Sequence, residues 1–99
     1  MPPSVELTQL ARLLNRPELV AWDLNSPGGR VKLERAVEEG FDRLVQGLLE
    51  EAAASDDVVD AASAGAFIED RLSFLGELLS DAQCRRLGEA CRRATKGWG

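Results

Sequence analysis

Residues 80–95, Ser80-Asp81-Ala82-Gln83-Cys84-Arg85-Arg86-Leu87-Gly88-Glu89-Ala90-Cys91-Arg92-Arg93-Ala94-Thr95, decide the fold class. Ser80 and Gln83 have the spacing of a capping box. In such a box the serine hydroxyl accepts the third helical backbone N–H, and the glutamine side chain returns to the serine N–H. Behind the cap, Cys84, Leu87, Cys91 and Ala94 recur at steps of three and four, the period of one helix face. Arg85-Arg86 and Arg92-Arg93 fall on the opposite face with Glu89 at their centre. Pairs at that spacing contribute only about 0.2–0.5 kcal/mol each, yet they occupy charge that a phosphate would need.

Upstream, residues 64–79 predict a helix with a broad apolar arc, because Phe67, Ile68, Leu72, Phe74, Leu75, Leu78 and Leu79 cover nearly half of its wheel. A helix so patterned is flanked on two sides, by neighbours in its own chain or by a second subunit. Phe67, Ile68, Arg71, Leu72, Phe74, Leu75 and Leu78 are therefore the candidate interaction face. Arg71 sits inside the arc and has to snorkel to water or find a carboxylate, since an unpaired buried guanidinium is strongly unfavourable. Glu51, on the apolar side of the preceding helix, is the expected partner, with the two helices as antiparallel neighbours.

That preceding helix is expected over residues 30–53. Leu33, Val37, Phe41, Leu44 and Leu48 form its stripe, with Glu38, Glu39 and Asp42 turned to water. Gly40 and Gly47 interrupt it on the flank of Ala36, and Gly76 and Gly88 lie within the next two predicted helices. Each interior glycine costs about 1 kcal/mol relative to alanine, which close backbone approach would offset. Ala36, Gly40 and Gly47 thus mark a close helix crossing, within one chain or between two.

At the other end, Met1-Pro2-Pro3 leads into Ser4, an N-cap for a helix carrying Leu7, Leu10, Ala11 and Leu14 on one face. Pro17 ends that helix and can open a short one reaching Leu24. Asn25-Ser26-Pro27-Gly28-Gly29 reads as a loop, and residues 57–63 as a further helical turn. No stretch alternates as a strand would. The expectation is an all-α chain, a compact four- to five-helix bundle or orthogonal helical domain with no sheet, residues 1–99 forming a single helical domain.

Composition bounds the function. The chain has 99 residues, 44% hydrophobic and 29% charged, with a formal net charge of −5. Residues 34–79 hold twelve acids against three bases, and residues 80–99 hold two acids against five bases. The basic last helix is expected to pack near acidic helices of its own chain or dimer. Direct nucleic-acid binding through an extended basic surface is disfavoured, because phosphate neutralisation needs clustered Lys and Arg on a favourable overall balance. No signal peptide or apolar run of roughly 18 residues is legible, so no membrane association is expected and the cytoplasm is the default. Cys84 and Cys91 lie seven residues apart on one helix, about 10 Å along its axis. A disulfide spans at most about 7 Å between Cα atoms, so both read as small buried apolar residues.

The chain has no histidine, which removes the commonest general base and metal ligand. Glu34, Glu38 and Asp42 follow at four-residue steps but read as a solvated stripe, since the histidine of a dimetal helical site is missing. Pro27-Gly28-Gly29-Arg30 lacks the Lys-Ser/Thr ending of a phosphate loop and reads as a turn. No catalytic residue, cofactor or metal site is expected. An enzymatic reading would need carboxylates and Arg71 gathered in one pocket.

Phe67 to Arg93, through Glu69-Asp70-Arg71-Leu72-Ser73-Phe74-Leu75 and Leu79-Ser80-Asp81-Ala82-Gln83, resembles one segment of the periplasmic helical stress chaperones marked by an LTxxQ motif. The likeness covers about a quarter of the chain and holds a single Leu-Ser-x-x-Gln. It implies a helical, chaperone-like protein that is exported. This chain departs from that pattern in showing no export signal, and the assignment is not carried over. The leading expectation is a small non-enzymatic protein-interaction module (adaptor, regulatory subunit or assembly factor) that uses its apolar helix face and self-associates, as a dimer. A second is an acidic inhibitor that mimics nucleic acid on a basic partner through Glu34, Glu38, Glu39, Asp42, Glu50 and Glu51.

Overall fold

A computed structural model describes residues 4–99; the lead-in Met1-Pro2-Pro3 lies outside the described residues. Five α-helices and one 3₁₀ segment follow in order: α1 (Val5–Leu14), a 3₁₀ segment (Pro17–Ala21), α2 (Pro27–Glu39), α3 (Phe41–Ala54), α4 (Ala61–Phe74) and α5 (Asp81–Thr95). The chain is all-α, with no strand among the described residues.

Side-chain caps start four of these helices. Ser4 Oγ accepts the Leu7 N–H at 3.1 Å, and Ser26 Oγ accepts the Gly29 N–H at 3.1 Å. Each satisfies one of the donors that a helix start leaves unpaired. The box at Ser80 closes as its spacing predicts: the Gln83 N–H donates to Ser80 Oγ and the Ser80 N–H to Gln83 Oε1, both at 3.1 Å. A second box starts α4, where the Ser63 N–H donates to Asp60 Oδ1 at 2.8 Å and the Asp60 N–H to Ser63 Oγ at 3.0 Å. The Ala61 N–H of the same helix start donates to the Trp98 carbonyl at 3.1 Å, which ties the end of the described chain to α4. α1 ends on Asn15, whose left-handed backbone returns its N–H to the last turn.

Several boundaries differ from the sequence reading. The expected helix over 30–53 is two, α2 and α3, parted at Gly40, which caps the end of one and the start of the next. Pro27-Gly28-Gly29 is no loop but the first turn of α2, with Pro27 at a first-turn position that needs no N–H. α4 begins at Ala61 and ends at Phe74, so Gly76 lies in the turn before α5 rather than inside a helix. The short helix after Pro17 is a 3₁₀ segment that stops at Ala21.

One buried cluster draws on every helix. Leu10 of α1, Leu19 of the 3₁₀ segment, Val37 of α2, Leu44 and Leu48 of α3, and Leu87 and Cys91 of α5 are fully buried, with Ile68 of α4 nearly so. No described helix is long and apolar enough to cross a membrane.

Candidate interaction surface

The glycine flank packs inside the chain. A Cβ at Gly40 would stand 2.7 Å from Leu14 Cδ2, and one at Gly47 would stand 2.8 Å from Leu13 Cδ2. Both face the C-terminal leucines of α1, and Ala36 is buried beside them. The close crossing is therefore the α1 contact of the α2–α3 arm. Gly40 serves it from the junction between two helices rather than from inside one.

The apolar arc runs from α4 into the turn after Phe74 and is divided. Ile68 and Leu75 are buried in the core, and Phe67, Leu72 and Leu78 pack partly against it. Phe74 keeps 38% of its surface exposed. Most of the face expected to meet a partner thus meets the chain itself. Arg71 finds Glu51 as its position requires, with Nε 3.4 Å from Oε2 and the guanidinium 5.1 Å from the centre of the Phe67 ring. Gln9 of α1 donates to the other carboxylate oxygen of Glu51 at 2.6 Å. Glu51 Oε2 is buried without a hydrogen bond, so among the described residues it depends on the Arg71 charge alone. This is a bridge between α1, α3 and α4.

A second polar junction joins α5 to α2 and α3. The Gln83 amide donates to the Glu34 carbonyl at 3.2 Å and to the Glu38 carboxylate at 3.0 Å. Arg86 donates to the same carboxylate at 2.7 Å, and its guanidinium lies 4.5 Å from the centre of the Phe41 ring. The Arg86 and Gln83 hydrogen bonds hold the Glu38 carboxyl below its ordinary range. Glu38 is exposed, as read from sequence, and is also an internal partner of Gln83 and Arg86. The basic last helix packs chiefly against α4 and α3, whose acids outnumber their bases, and reaches α2, whose three acids and three bases cancel, through Gln83 and Arg86.

The buried stripe of α5 is rotated from the expected one. Gln83, Leu87, Cys91 and Thr95 are buried, Cys84 is half-buried and Ala94 is exposed. Thr95 can be buried because its hydroxyl donates to the Cys91 carbonyl at 3.0 Å. Glu89 forms no ion pair among the described residues.

What remains open beside α4 is a groove of about 500 Å³ between α4 and α5. Its α4 wall carries Glu69, Leu72 and Ser73, and its α5 wall carries Cys84, Arg85, Gly88 and Arg92, with Gly76 and Asp81 at one end. Leu72 and Cys84 are half-buried here, and burial followed by the Asp81 charge raises the Cys84 thiol above its ordinary range. Of the groove residues only Leu72 belongs to the face expected from sequence. The others were marked by spacing alone: 81, 84, 85, 88 and 92 share one face of α5, as 69, 72 and 73 share one face of α4. A larger groove, about 740 Å³ between α1 and α3, is lined mainly by charged residues such as Arg12, Asp42, Arg43 and Glu50, with Leu13 and Ala54 among them.

The chain matches no protein-family model, and neither the curated proteins nor the solved structures return a match.

Proposed function

We propose that this protein is a small non-enzymatic interaction module, an adaptor, regulatory subunit or assembly factor, that receives a protein partner in the α4–α5 groove. The observation that carries the reading is the lining of that groove. Leu72 and Cys84 stay partly exposed between charges of both signs, Glu69 on one wall and Arg85 and Arg92 on the other. Recognition sites of this kind combine an apolar centre with a polar rim. The glycine at 88 keeps the α5 wall low, so a partner side chain can reach Leu72, 3.5 Å from where a Cβ at 88 would stand. The acidic-inhibitor reading loses ground, since Glu38, Glu39 and Glu51 of its six carboxylates already have partners inside the chain.

A photo-crosslinking side chain in place of Ser73, exposed on the groove wall, tests the reading against the same side chain in place of Val59, exposed elsewhere. Protein adducts from position 73 and not from 59 are expected. Equal yields at both positions, or none at 73, would overturn it.

A further inference from the structure

We infer that the partner in the α4–α5 groove is a second copy of this chain, related by a two-fold axis running along the groove. This rests on the interaction-module reading above and names its occupant. Glu69 on the α4 wall and Arg85 and Arg92 on the α5 wall form no ion pair among the described residues, although they line the same groove, whose remaining charge is Asp81 at one end. Opposite charges on opposite walls make a surface complementary to itself. A two-fold axis along the groove sets the α5 wall of one copy over the α4 wall of the other, so each Glu69 faces the partner's arginine-bearing wall. An axis across the groove would instead stack like charge on like charge. A two-fold contact is isologous and needs this self-complementarity, which an arbitrary protein partner does not. Leu72, which lies beside Gly88 of its own chain, supplies the apolar contact. The patch is small, so the dimer is a weak one in rapid exchange.

Charge reversal tests the arrangement through sedimentation velocity across a wide concentration range. The wild-type chain is expected to dimerise, more weakly as salt rises. Glu69→Arg places arginine against arginine, and the double variant Arg85→Glu/Arg92→Glu places glutamate against glutamate. Each alone should raise the dimer Kd about tenfold or more, as like charges across an interface do. An equimolar mixture of the two should associate again, because each heterodimer restores both sets of opposite charges. All these residues are exposed, so the variants fold, and recovery in the mixture confirms it. A wild-type chain monomeric at millimolar concentration overturns the inference, as does a dimer that survives both variants. If the chain is monomeric while position 73 still crosslinks another protein, the second copy is excluded and the interaction-module reading stands. If position 73 yields no adduct either, both fail.

Discussion

Gln83, buried on α5, donates one amide hydrogen to the Glu38 carboxylate of α2 while its carbonyl oxygen accepts the Ser80 N–H. A single side chain thus completes a helix cap and ties that helix to another forty-five residues away in sequence. Gln83→Leu keeps the volume and removes both functions, leaving the Glu38 carboxylate with one partner fewer. Loss of about 1–3 kcal/mol is expected, the usual penalty for unmaking buried hydrogen bonds. Urea denaturation measures it, and an unchanged midpoint with unchanged slope would show that the junction contributes nothing to stability.

Acid should loosen the same junction. Hydrogen bonds from Arg86 and Gln83 lower the folded-state pKa of Glu38 below its ordinary value of 4.5. A carboxylate lowered on folding contributes stability that is complete above the unfolded-state value and is lost as pH falls through the folded-state value. Glu38→Gln should therefore be less stable than wild type at neutral pH, with the gap closing below pH 4.5. Chemical denaturation at a series of pH values reads the gap, and one that stays constant to the acid limb contradicts the assignment.

Gly28 and Gly29 should behave as opposites despite adjacency. A Cβ at Gly29 would collide with the Asp23 backbone carbonyl, whereas one at Gly28 would meet nothing within 4 Å. Gly29→Ala must push the Asp23 turn away from α2, with a loss of about 1–3 kcal/mol or more by the standards of overpacking. Gly28→Ala should be neutral or stabilising by up to about 1 kcal/mol through helix preference. Thermal unfolding of the pair decides between them, and similar melting points would refute the close approach.

These contrasts mark where sequence stops being informative. The caps at Ser4 and Ser80, the core stripe Leu33-Val37-Leu44-Leu48 and the Arg71–Glu51 pair were all legible, because periodicity and local hydrogen-bond chemistry determine them. The break at Gly40 was not, since the apolar residues keep their helical spacing straight through it and both helices face the same core. The cap at Asp60 was hidden because Ser63 closes the box where Glu or Gln is the usual sign. Gln83 and Thr95 are polar yet buried, and only their tertiary and backbone hydrogen bonds explain why. The groove was least visible. Leu72 reads as one more member of an apolar arc, and nothing local says that Ile68 and Leu75 turn inward while Leu72 stays half-exposed beside Cys84.

The glycine crossing separates fold from association. Gly40 presses on Leu14 of its own chain, so Gly40→Leu should cost about 1–3 kcal/mol by overpacking. Its folded fraction should keep the wild-type sedimentation behaviour, because the flank faces α1 and not a second copy. A shift in dimer Kd at equal folded fraction would move the interface to this flank.

The two thiols should separate by burial. Burial pushes the Cys91 thiol up to about 11, and burial followed by the Asp81 charge also raises that of Cys84. Since the thiolate is the reactive form, neither should label quickly at neutral pH, and only Cys84 has the access to label at all. Native protein treated with a maleimide should take a single adduct slowly, faster at alkaline pH, and a second only after unfolding. Asp81→Asn should speed the first adduct without exposing Cys91. Mild oxidation should leave the pair unbridged, since seven residues of intact helix hold their Cα atoms about 10 Å apart, beyond disulfide reach. Mass spectrometry of intact protein reads all of these outcomes. Two rapid adducts under native conditions would mean that α5 does not bury the face on which Cys91, Leu87 and Gln83 close the core.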